Sequence, residues 1–548
     1  MQRSFIVSRS STRRLFVSLV VLACAFLHVQ QATAQSSYAM LMSVKPLAVQ
    51  IGATTECEIV SRYSLHDVQE CLVSGTGVRG EVVKESLAPA PKPGEKPKND
   101  GSVKVQFTVD ADAIPSPRDF RLTTSTGATT IAQLVLVRDP IVYETKDNDA
   151  RDKAPLVALP ATLCGSFEKG EDVDYFKFHA EAGQSLVFHV WAARQQDKIH
   201  DLQTHADPLL AVRNAAGVVL DADDNTFFAD PLLQYTFRQA GDYFVEIRDV
   251  RYQGDRHWQY AIEVSPRPFV TTVFPLAVAP GATAEVEPIG KNIPASLGSP
   301  PKTTLTVPAD APNGLLWTQT TLDGQPTNAI QLEVSRLPLA LETPDENNTV
   351  EKAQPIALPS GVNGRIDSPA DVDCYSFEAK KGEQLCFEIV ARRRQSSLDA
   401  VLSILDEKGK RLLENDDLRQ GRFTYADAAI ETWAAPADGR YVLEVRDLHL
   451  RGGAEFVYLL KAEKRTPSFR LDADSDKTLV TPGVRGAVFV RATRQGIDAP
   501  IELSVEGLPP GVTAHCGRIA QGANDGCIIF EAAPDAPKTV ANIRIFGR

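Results

Sequence analysis

The sequence predicts an all-β protein made of tandem β-sandwich domains, and three patterns support this prediction. A long block of alternating apolar residues occurs twice, first at 172–249 and again at 371–447. A shorter phrase, Phe-Thr-Val-Asp-Ala-Asp-Ala in its first form, begins at Phe107 and recurs in related form from Leu305 and Phe530. Short runs with period-two alternation lie between these blocks and are typical of strands. Repeats at this spacing indicate repeated structural units of about domain size.

Each long block shows the same order of features. An Asp-Val-Asp start leads into alternating aromatic residues, and Gly183 or Gly382 follows. The alternation predicts one buried sheet face, and the glycine predicts a tight hairpin turn. A Gly-x-Tyr triplet begins the last strand of each block. We expect the hydroxyls of Tyr243 and Tyr441 to bond to nearby backbone, as in a tyrosine corner.

The predicted layout alternates short and long β-domains behind an N-terminal leader. Its segments are a leader at 1–34, short domains at 36–138, 266–338 and 465–548, and long domains at 139–265 and 339–464. In the first two short domains a further strand follows the shared phrase, but the third ends before that strand. Because an unclosed sheet leaves unpaired backbone groups at its edge, we expect the chain to be truncated, with a further domain beyond Arg548.

The first 34 residues have the organisation of a secretory signal peptide. Four arginines precede an apolar run from Leu15 to Val29, and Ala32-Thr33-Ala34 offers a small-x-small cleavage site. The apolar run continues past Cys24, and a lipid anchor at Cys24 is the alternative. No later run reaches the roughly 20 apolar residues of a transmembrane helix. These features predict a secreted, periplasmic or cell-surface protein without a transmembrane helix once the leader is removed.

Composition favours packed globular domains and argues against one class of partner. Of the 548 residues, 43% are hydrophobic, and the formal net charge is −12. The hydrophobic content is typical of globular domains rather than of disordered chains. The acidic balance argues against nucleic acid, whose phosphates need basic patches. It suits a surface that takes up hard cations such as Ca²⁺.

Two pairs of cysteines flank predicted turns and are predicted to form disulfides. Cys374 and Cys386 lie symmetrically about the turn at Gly382. On alternating strands of a hairpin they lie opposite each other, at the Cα separation of a disulfide. Cys516 and Cys527 bracket a turn-rich segment. An oxidising compartment favours both bonds.

The remaining cysteines allow one further pair. Cys57 and Cys71 are close in sequence and are predicted to form the third disulfide, which leaves Cys164 as a buried thiol. The alternative is that all seven cysteines after the leader are free, buried thiols. None of them shows the Cys-x-x-Cys spacing of a zinc or redox site.

The long blocks resemble bacterial pre-peptidase C-terminal domains, which are jelly-roll-like β-sandwiches appended to secreted proteins. The motifs that carry the resemblance are Asp-Val-Asp-(Tyr/Cys)-(Phe/Tyr)-x-Phe at 172–178 and 371–377, Asp-Pro-Leu-Leu at 207–210, Asp-Ala-Val-Leu at 399–402, the acidic turns at 223–224 and 415–417, and the late Gly-x-Tyr. The short units resemble the immunoglobulin-like modules that accompany such domains in large exported bacterial proteins. Together the resemblances imply a chain of jelly-roll-like and immunoglobulin-like sandwiches.

Acidic residues recur at matching points of the two long blocks, and they are the predicted metal ligands. They stand before a strand, in the following turn and ahead of the next strand. They are Asp207, Asp223, Asp224 and Asp230 in the first block, and Asp399, Asp416, Asp417 and Asp427 in the second. Carboxylates gathered at one end of a sandwich would supply the oxygen ligands of Ca²⁺, and some relatives of these domains bind calcium. The alternative is that these side chains cap turns through nearby backbone.

The sequence contains none of the common catalytic motifs. It has no Gly-x-Ser-x-Gly, no His-Glu-x-x-His and no glycine-rich phosphate loop. We therefore predict a non-catalytic binding or spacer module that meets an extracellular or cell-envelope protein or polysaccharide. The alternative, implied by the resemblance, is the accessory region of a secreted hydrolase or peptidase whose catalytic domain lies outside this chain.

Overall fold

The computed structural model describes residues 38–89, 100–125, 127–199, 202–343, 347–420 and 423–548. It is 52% strand and 4% helix, which confirms the predicted fold class of tandem β-sandwiches. The predicted leader, with Cys24, lies outside the described residues. Within the described ranges no helix has the length and apolar character needed to cross a membrane.

The first short domain forms a single nine-stranded sheet. Its strands are β1 (Met40–Lys45), β2 (Ala48–Gln50), β3 (Thr54–Arg62), β4 (Cys71–Val73), β5 (Val78–Val82), β6 (Asp100–Val109), β7 (Pro117–Thr124), β8 (Gly127–Ala128) and β9 (Ala132–Val137), with a 3-10 turn at Lys84–Ser86. The strand order is β1-β3-β6-β5-β4-β7-β9-β2, and β8 pairs with β7. Burial alternates along β3 and β6, as expected for strands with one face on a core.

The first long repeat is a sandwich of two five-stranded sheets. Its elements are β10 (Ile141–Tyr143), β11 (Leu156–Val157), β12 (Ala161–Ser166), β13 (Val173–Ala180), β14 (Ser185–Trp191), α1 (Ala193–Gln196), β15 (Pro208–Asn214), β16 (Val219–Asp223), β17 (Leu232–Thr236), β18 (Gly241–Asp249) and β19 (Gln259–Ser265), with a 3-10 turn at Arg151–Lys153. The two sheets have the orders β10-β12-β19-β14-β17 and β11-β13-β18-β15-β16.

The short domain that follows has two small sheets. Its strands are β20 (Phe269–Phe274), β21 (Ala277–Val278), β22 (Thr283–Lys291), β23 (Thr303–Thr306), β24 (Gly314–Thr318), β25 (Thr321–Leu322), β26 (Gln325–Pro326) and β27 (Ile330–Val334), with a 3-10 turn at Ala295–Leu297. The sheets are β20-β22-β23 and β21-β27-β24, and β25 pairs with β26.

The second long repeat has the same topology as the first. Its elements are β28 (Leu339–Leu341), β29 (Gln354–Pro355), β30 (Ser360–Arg365), β31 (Val372–Ala379), β32 (Gln384–Val390), β33 (Ala400–Asp406), β34 (Arg411–Asn415), β35 (Leu418–Gln420), β36 (Phe423–Tyr425), β37 (Ala429–Ala434), β38 (Gly439–Asp447) and β39 (Val457–Lys464), with 3-10 turns at Val350–Lys352 and Arg392–Arg394. The sheets are β28-β30-β39-β32-β37 and β29-β31-β38-β33-β34, and β35 pairs with β36.

The last short domain packs a four-stranded sheet against a three-stranded one. Its strands are β40 (Ser468–Ala473), β41 (Arg485–Gln495), β42 (Ile501–Glu506), β43 (Val512–Cys516), β44 (Arg518–Ile519), β45 (Asp525–Ala532) and β46 (Arg544–Gly547). The sheet orders are β40-β41-β45-β43 and β44-β42-β46.

The turns at the two repeat glycines join the sheets of a sandwich. Gly183 and Gly382 have φ values of +82° and +81°, as a tight turn that favours glycine requires. However, β13 and β14 lie in different sheets, and so do β31 and β32. The predicted hairpins are therefore wrong, because alternating burial on both sides of a turn fits a crossover between packed sheets equally well.

The aromatic residues of the repeated block form the core of each sandwich. In the first repeat Phe178 packs against Phe188 at 6.1 Å between ring centroids, and in the second Phe377 packs against Phe387 at 5.2 Å. Burial of each such ring stabilises the fold by about 1.5–3 kcal/mol. The block is thus primarily a scaffold.

The predicted tyrosine corners are confirmed in both repeats. Tyr243 Oη donates to the carbonyl of Gln239 over 2.7 Å, and Tyr441 Oη donates to the carbonyl of Ala437 over 2.8 Å. Each bond ties the start of the last motif strand to the turn four residues earlier.

Candidate functional site

In both long repeats a carboxylate lies at the buried start of a central strand. Strands β13 and β31 each begin with Val-Asp, and side chains two residues apart in a strand point to the same face. Asp174 therefore faces the interior with Phe176, and Asp373 does so with Tyr375. Asp174 is 2% exposed and Asp373 is 1% exposed, so each carboxyl depends on partners within the protein.

In the first repeat Asp174 is bonded to Glu144 and Tyr260. Tyr260 Oη donates to Asp174 Oδ2 over 2.7 Å, and the Glu144 and Asp174 carboxyls share a hydrogen bond. The backbone N–H and the hydroxyl of Ser166 donate to Glu144 over 3.1 and 3.0 Å. A Cβ on Gly165 would lie 2.2 Å from Tyr260 Oη, so only glycine admits the tyrosine hydroxyl at this point.

The second repeat extends the same network with a second tyrosine. Tyr458 Oη donates to Asp373 Oδ2 over 2.6 Å. Tyr375 Oη lies 2.6 Å from Tyr458 Oη and donates to it, because the proton of Tyr458 is used on Asp373. Glu342 is hydrogen-bonded to Asp373 and accepts the Arg365 backbone N–H over 2.7 Å. The result is a buried chain of two tyrosines and two carboxyls.

Two carboxyls in one buried site cannot both ionise without a large cost. Burial, and then the charge of Glu144, raise the pKa of Asp174 to about 9. Burial, and then the bond to Glu342, raise the pKa of Asp373 to about 11. Burial raises the pKa of Glu144 and Glu342 as well. Each pair therefore holds a proton at neutral pH unless a cation lies beside it.

The first repeat places two further carboxylates beside Asp174. One ligand oxygen from each of Asp149, Asp172 and Asp174 lies within 4.8 Å of the others. Oxygens that bind one Ca²⁺ at about 2.3–2.6 Å lie no more than about 5 Å apart, so the spacing suits that ion. The Glu168 backbone N–H donates to Asp172 Oδ2 over 2.6 Å, and Lys169 Nζ lies 3.3 Å from Asp149 Oδ2.

The second repeat does not reproduce this group. Its described residues keep Asp371 and Asp373, but Asn348 stands where the first repeat has Asp149. Across the described ranges, Asp149, Asp172 and Asp174 form the one group of three acidic side chains whose ligand oxygens lie within 4.8 Å of one another. The chemistry available to the two repeats therefore differs by one carboxylate.

Two of the sequence-predicted metal ligands, Asp230 and Asp427, cap the short helical turns that follow β14 and β32. Asp230 Oδ1 accepts the Ala193 backbone N–H over 2.8 Å, and its Oδ2 accepts Arg194 Nε over 2.6 Å. Asp427 makes the matching bonds to the Arg392–Arg393 pair, over 2.7 Å to backbone and 2.5 Å to guanidinium. Both aspartates are fully buried, and these bonds agree with the turn-capping alternative.

Other predicted ligands also take part in turns. Asp223 Oδ1 accepts the Thr226 hydroxyl over 2.6 Å, and its Oδ2 accepts the Leu232 N–H over 2.7 Å. The backbone N–H of Asp207 donates to Asp249 over 2.8 Å. In the second repeat Asp399 donates its backbone N–H to Asp447 over 3.1 Å.

The other three, Asp224, Asp416 and Asp417, lie at partly or fully exposed turn positions. None of the eight predicted ligands belongs to the tight carboxylate group. Their assignment as metal ligands stays a prediction, whereas the structure brings together Asp149, Asp172 and Asp174.

All seven described cysteines are free thiols, so the three predicted disulfides are wrong. Cys374 lies opposite Glu444 in one sheet, and Cys386 lies opposite Glu463 in the other. Because Tyr375 and Leu385 beside them point into the core, both thiols point away from it, on opposite faces of the sandwich.

The other two predicted disulfides fail for related reasons. Cys516 is in register with Ile528, so Cys527 is one residue out of step and points to the other face. Cys57 and Cys71 lie on strands β3 and β4, which β6 and β5 separate in the sheet.

The buried Glu-Asp-Tyr network was not found from the sequence, although a signal for it exists. The second Asp of the Asp-Val-Asp motif lies within a strand pattern and does not stand out as a site residue. No local sequence pattern links it to its tyrosine partner, which lies about 85 residues later. However, both repeats also share a Glu-Thr pair, at 144–145 and 342–343, ahead of the motif. Acidic residues retained at three matching points of two diverged repeats would have pointed to this end of the sandwich.

Comparison with known proteins gives one informative match. No family model matches the chain. Over 109 residues the chain is 32% identical to a probable subtilase-type serine protease of Deinococcus radiodurans, and the match covers 19% of this chain and 14% of that protein. The chain therefore contains a stretch, close to the length of one long repeat, that is similar to part of a protease.

Two solved structures show distant likenesses to this chain. The pre-peptidase C-terminal domain of a Bacillus anthracis collagenase is 14% identical and matches 22% of this chain and 100% of its own, with a TM-score of 0.16. The secreted serine protease VesC from Vibrio cholerae is 11% identical and matches 42% of this chain and 51% of its own, with a TM-score of 0.15. At such TM-scores we draw no conclusion from either.

Proposed function

We propose that this chain is a non-catalytic accessory region of an exported peptidase, and that its first long repeat binds one Ca²⁺ ion. The similarity of one stretch to a probable subtilase-type serine protease supports the link to a peptidase. The leader pattern at 1–34 supports export. The observation that carries the calcium site is the group of three carboxylates within 4.8 Å in the first repeat.

The non-catalytic role is supported by the hydrogen bonds of the repeated acidic residues, which hold loops in place. Asp249 Oδ1 accepts the backbone N–H groups of Arg251 and Gln253 over 2.9 and 3.0 Å. Asp447 makes the corresponding bonds to His449 and Arg451 over 2.9 and 3.0 Å. A carboxylate that accepts loop backbone N–H groups in both repeats has a structural role, and these bonds leave it little freedom for proton transfer.

Calcium would join two separate parts of the first repeat. Asp149 follows β10 in sequence, and Asp172 and Asp174 lie at the start of β13. Glu144, which is bonded to Asp174 and follows β10 directly, is the fourth acidic group at this point. When bound, the ion would supply positive charge to carboxyls that otherwise share a proton, and it would fix the β10 loop to the sandwich.

The contacts between the domains suit a stiff spacer. Glu333 is 1% exposed, and it accepts Arg394 Nη2 over 2.7 Å and Lys461 Nζ over 2.9 Å from the second long repeat. Asn363 of the same repeat exchanges two hydrogen bonds with the backbone of Ala277, over 2.7 and 3.2 Å. A buried ion with two partners resists separation of the domains, because removing the partners would leave its charge unpaired. Binding to a cell-envelope protein or polysaccharide stays a prediction.

Turnover assays on the full chain test the non-catalytic part of the proposal. The chain would be incubated with casein and with a mixed peptide pool, in Ca²⁺ and in chelator. We expect no cleavage in either condition. Cleavage that a single substitution abolishes, while the melting temperature is kept, would show that the chain carries its own active site.

A further inference from the structure

Two buried histidines lie at the boundaries between the first long repeat and the short domains on either side of it. Across the described ranges the buried histidines are His189, 2% exposed, and His257, 8% exposed. His257 lies just before β19 and faces Ser43 of the first short domain, whereas His189 lies on β14 and contacts Phe269 of the second. We call the contact at His257 the first joint and the contact at His189 the second joint. A change in the charge of either ring therefore acts on a contact between two domains.

Aromatic rings enclose His189 at the second joint. The centroid of its ring lies 4.6 Å from that of Phe269, 5.6 Å from that of Phe227 and 4.7 Å from that of Trp191. Phe269 is 7% exposed and is the first residue of β20, so the histidine packs directly against the neighbouring domain. A charge on this ring would be removed from water, which is costly unless the charge is fully paired.

The hydrogen bonds of His189 require its neutral form. Arg194 Nη2 lies 2.8 Å from His189 Nε2 and donates to it, because an arginine can only donate. The proton of the neutral ring is therefore on Nδ1, which donates to Glu263 over 3.2 Å. A second proton, on Nε2, would place two cationic donors face to face. Since Arg194 Nε is also bonded over 2.6 Å to the fully buried Asp230, the imidazole ring is the group that has to move.

The charges around His189 balance only while its ring is neutral. They come from β19, from α1, from the loop before β17 and from the segments that link the domains. The groups are three acids and three arginines, namely Glu263, Asp230, Asp139, Arg194, Arg267 and Arg138. Arg267 is paired with Asp139, and Glu263 also accepts Trp191 Nε1 over 2.9 Å. A proton on His189 would therefore leave one positive charge in excess at the second joint.

His257 is held in the same way at the first joint. Arg256 Nε donates to His257 Nε2 over 3.2 Å. The ring proton is therefore again on Nδ1, which lies 3.4 Å from Ser43 Oγ of the first short domain. The charged groups around this ring lie on its own turn and on the first short domain, and they are Asp255, Arg256, Lys45 and Asp100. Protonation of Nε2 would again oppose an arginine donor.

The second long repeat carries a carboxylate at the position of His189. Glu388, on β32, occupies it. Arg393 Nη2 donates to Glu388 over 2.6 Å, and its Nε donates to Asp427 over 2.5 Å, so the arginine and the buried aspartate recur in both repeats. Histidine is the side chain that changes its charge between about pH 5 and pH 8. The exchange of histidine for glutamate therefore confines this sensitivity to the first long repeat.

We propose that His189 and His257 keep the two joints of the first long repeat closed at neutral pH and open them in acid. Once a joint opens, its histidine meets water and takes up a proton near the ordinary pKa of about 6.5. Burial lowers the pKa of both rings in the closed state. Below about pH 6.5 the open state therefore binds more protons than the closed state, so acid favours opening. This inference does not depend on the calcium site or on the accessory role.

The rate at which buried thiols are modified measures the opening of each joint. Cys164 is 2% exposed and packs against Leu47 of the first short domain, so its thiol reports on the first joint. Val187→Cys introduces a thiol beside Phe269, at the position where the second repeat has Cys386. This thiol reports on the second joint.

Modification of the full chain by dithiodipyridine, followed by peptide mass spectrometry, gives the rate at each thiol. Each rate is divided by that of a free cysteine peptide at the same pH, which removes the intrinsic pH dependence of the reagent. Lowering the pH from about 7.5 to about 5 should raise the normalised rate at each joint by up to about thirtyfold, because the open histidine has a pKa of about 6.5.

Two glutamine variants separate the joints. In His189→Gln and His257→Gln the side-chain oxygen can still accept from the arginine but takes up no proton. His189→Gln should abolish the acid response at the second joint and keep that of Cys164, and His257→Gln should do the reverse. His179→Gln, at an exposed histidine, is the control and should keep both responses. The proposal is overturned if either thiol shows no rise in acid, or if a rise persists in the matching glutamine variant.

Discussion

Asp149 of the first long repeat and Asn348 of the second occupy the same position. Each follows an asparagine whose carbonyl accepts a strand N–H over 2.9 Å, from Tyr175 in the first repeat and from Cys374 in the second. The two repeats thus present nearly the same frame, in which one has a third carboxylate and the other an amide. This difference allows the calcium proposal to be tested by exchange.

Exchanging these two side chains should exchange the response to calcium. A ligand that binds only the folded state at 100 times its dissociation constant stabilises it by about 2.7 kcal/mol. We expect Ca²⁺ to raise the melting temperature of the wild-type chain and Asp149→Asn to remove most of that rise. Asn348→Asp should add a second response. Scanning calorimetry with Ca²⁺ and with chelator checks this, and an unaltered response in Asp149→Asn would refute the assignment.

The buried pair in the second repeat should make stability depend on pH. Burial and Glu342 raise the pKa of Asp373 to about 11, whereas an unfolded chain has an Asp pKa of about 3.9. Between these values the folded state holds a proton that the unfolded state has lost. Its stability therefore falls as pH rises, by at most about 1.4 kcal/mol per pH unit.

Asp373→Asn replaces the protonated carboxyl with a neutral amide and should remove this dependence. The melting temperature of the wild type should fall relative to that of Asp373→Asn between pH 5 and pH 9. This range lies between the Asp pKa of the unfolded chain and that of Asp373 in the folded protein. Asp416→Asn, at an exposed turn, is the control. Parallel pH profiles for wild type and Asp373→Asn would contradict the buried proton.

Gly165 should tolerate no side chain. A Cβ there would lie 2.2 Å from Tyr260 Oη and 2.3 Å from Glu144 Oε2. Overpacking of this kind costs about 1–3 kcal/mol, so Gly165→Ala should lower the melting temperature clearly. Gly241→Ala is the matched control, since nothing lies within 4 Å of its added Cβ. Equal melting temperatures for the two variants would argue against the close packing of Tyr260.

The seven thiols should be free in unreduced protein. Alkylation under denaturing conditions without reductant, followed by mass spectrometry, should label every described cysteine. The physical reason is clearest for Cys374 and Cys386, which lie on opposite faces of one sandwich. Recovery of a peptide that joins those two residues would contradict the assignment of their strands to different sheets.

Much of the fold could be predicted from the sequence because the same strand pattern occurs in both long repeats. Period-two alternation identified the strands, and the Gly-x-Tyr triplet identified the corner bonds of Tyr243 and Tyr441. Which sheet each strand joins could not be predicted, because alternation reports only that one face is buried. The error at Cys374 and Cys386 follows directly from that limit.

The candidate site was hidden from the sequence for a different reason. Asp174, Glu144 and Tyr260 come from three strands or loops that lie far apart in the chain, and they meet only when the sheets pack. The acidic residues that did stand out, such as Asp230, are close to the turns they cap. Local patterns therefore reported local structure, and the long-range cluster needed the fold.

Calcium titration of the chelated full chain by isothermal calorimetry tests the central claim most directly. One carboxylate group of three in the described structure predicts one equivalent of Ca²⁺ per chain. Asp172→Asn should abolish that binding, and Asp416→Asn should leave it intact. The absence of any bound calcium in the wild type, or an undiminished equivalent in Asp172→Asn, would contradict the account.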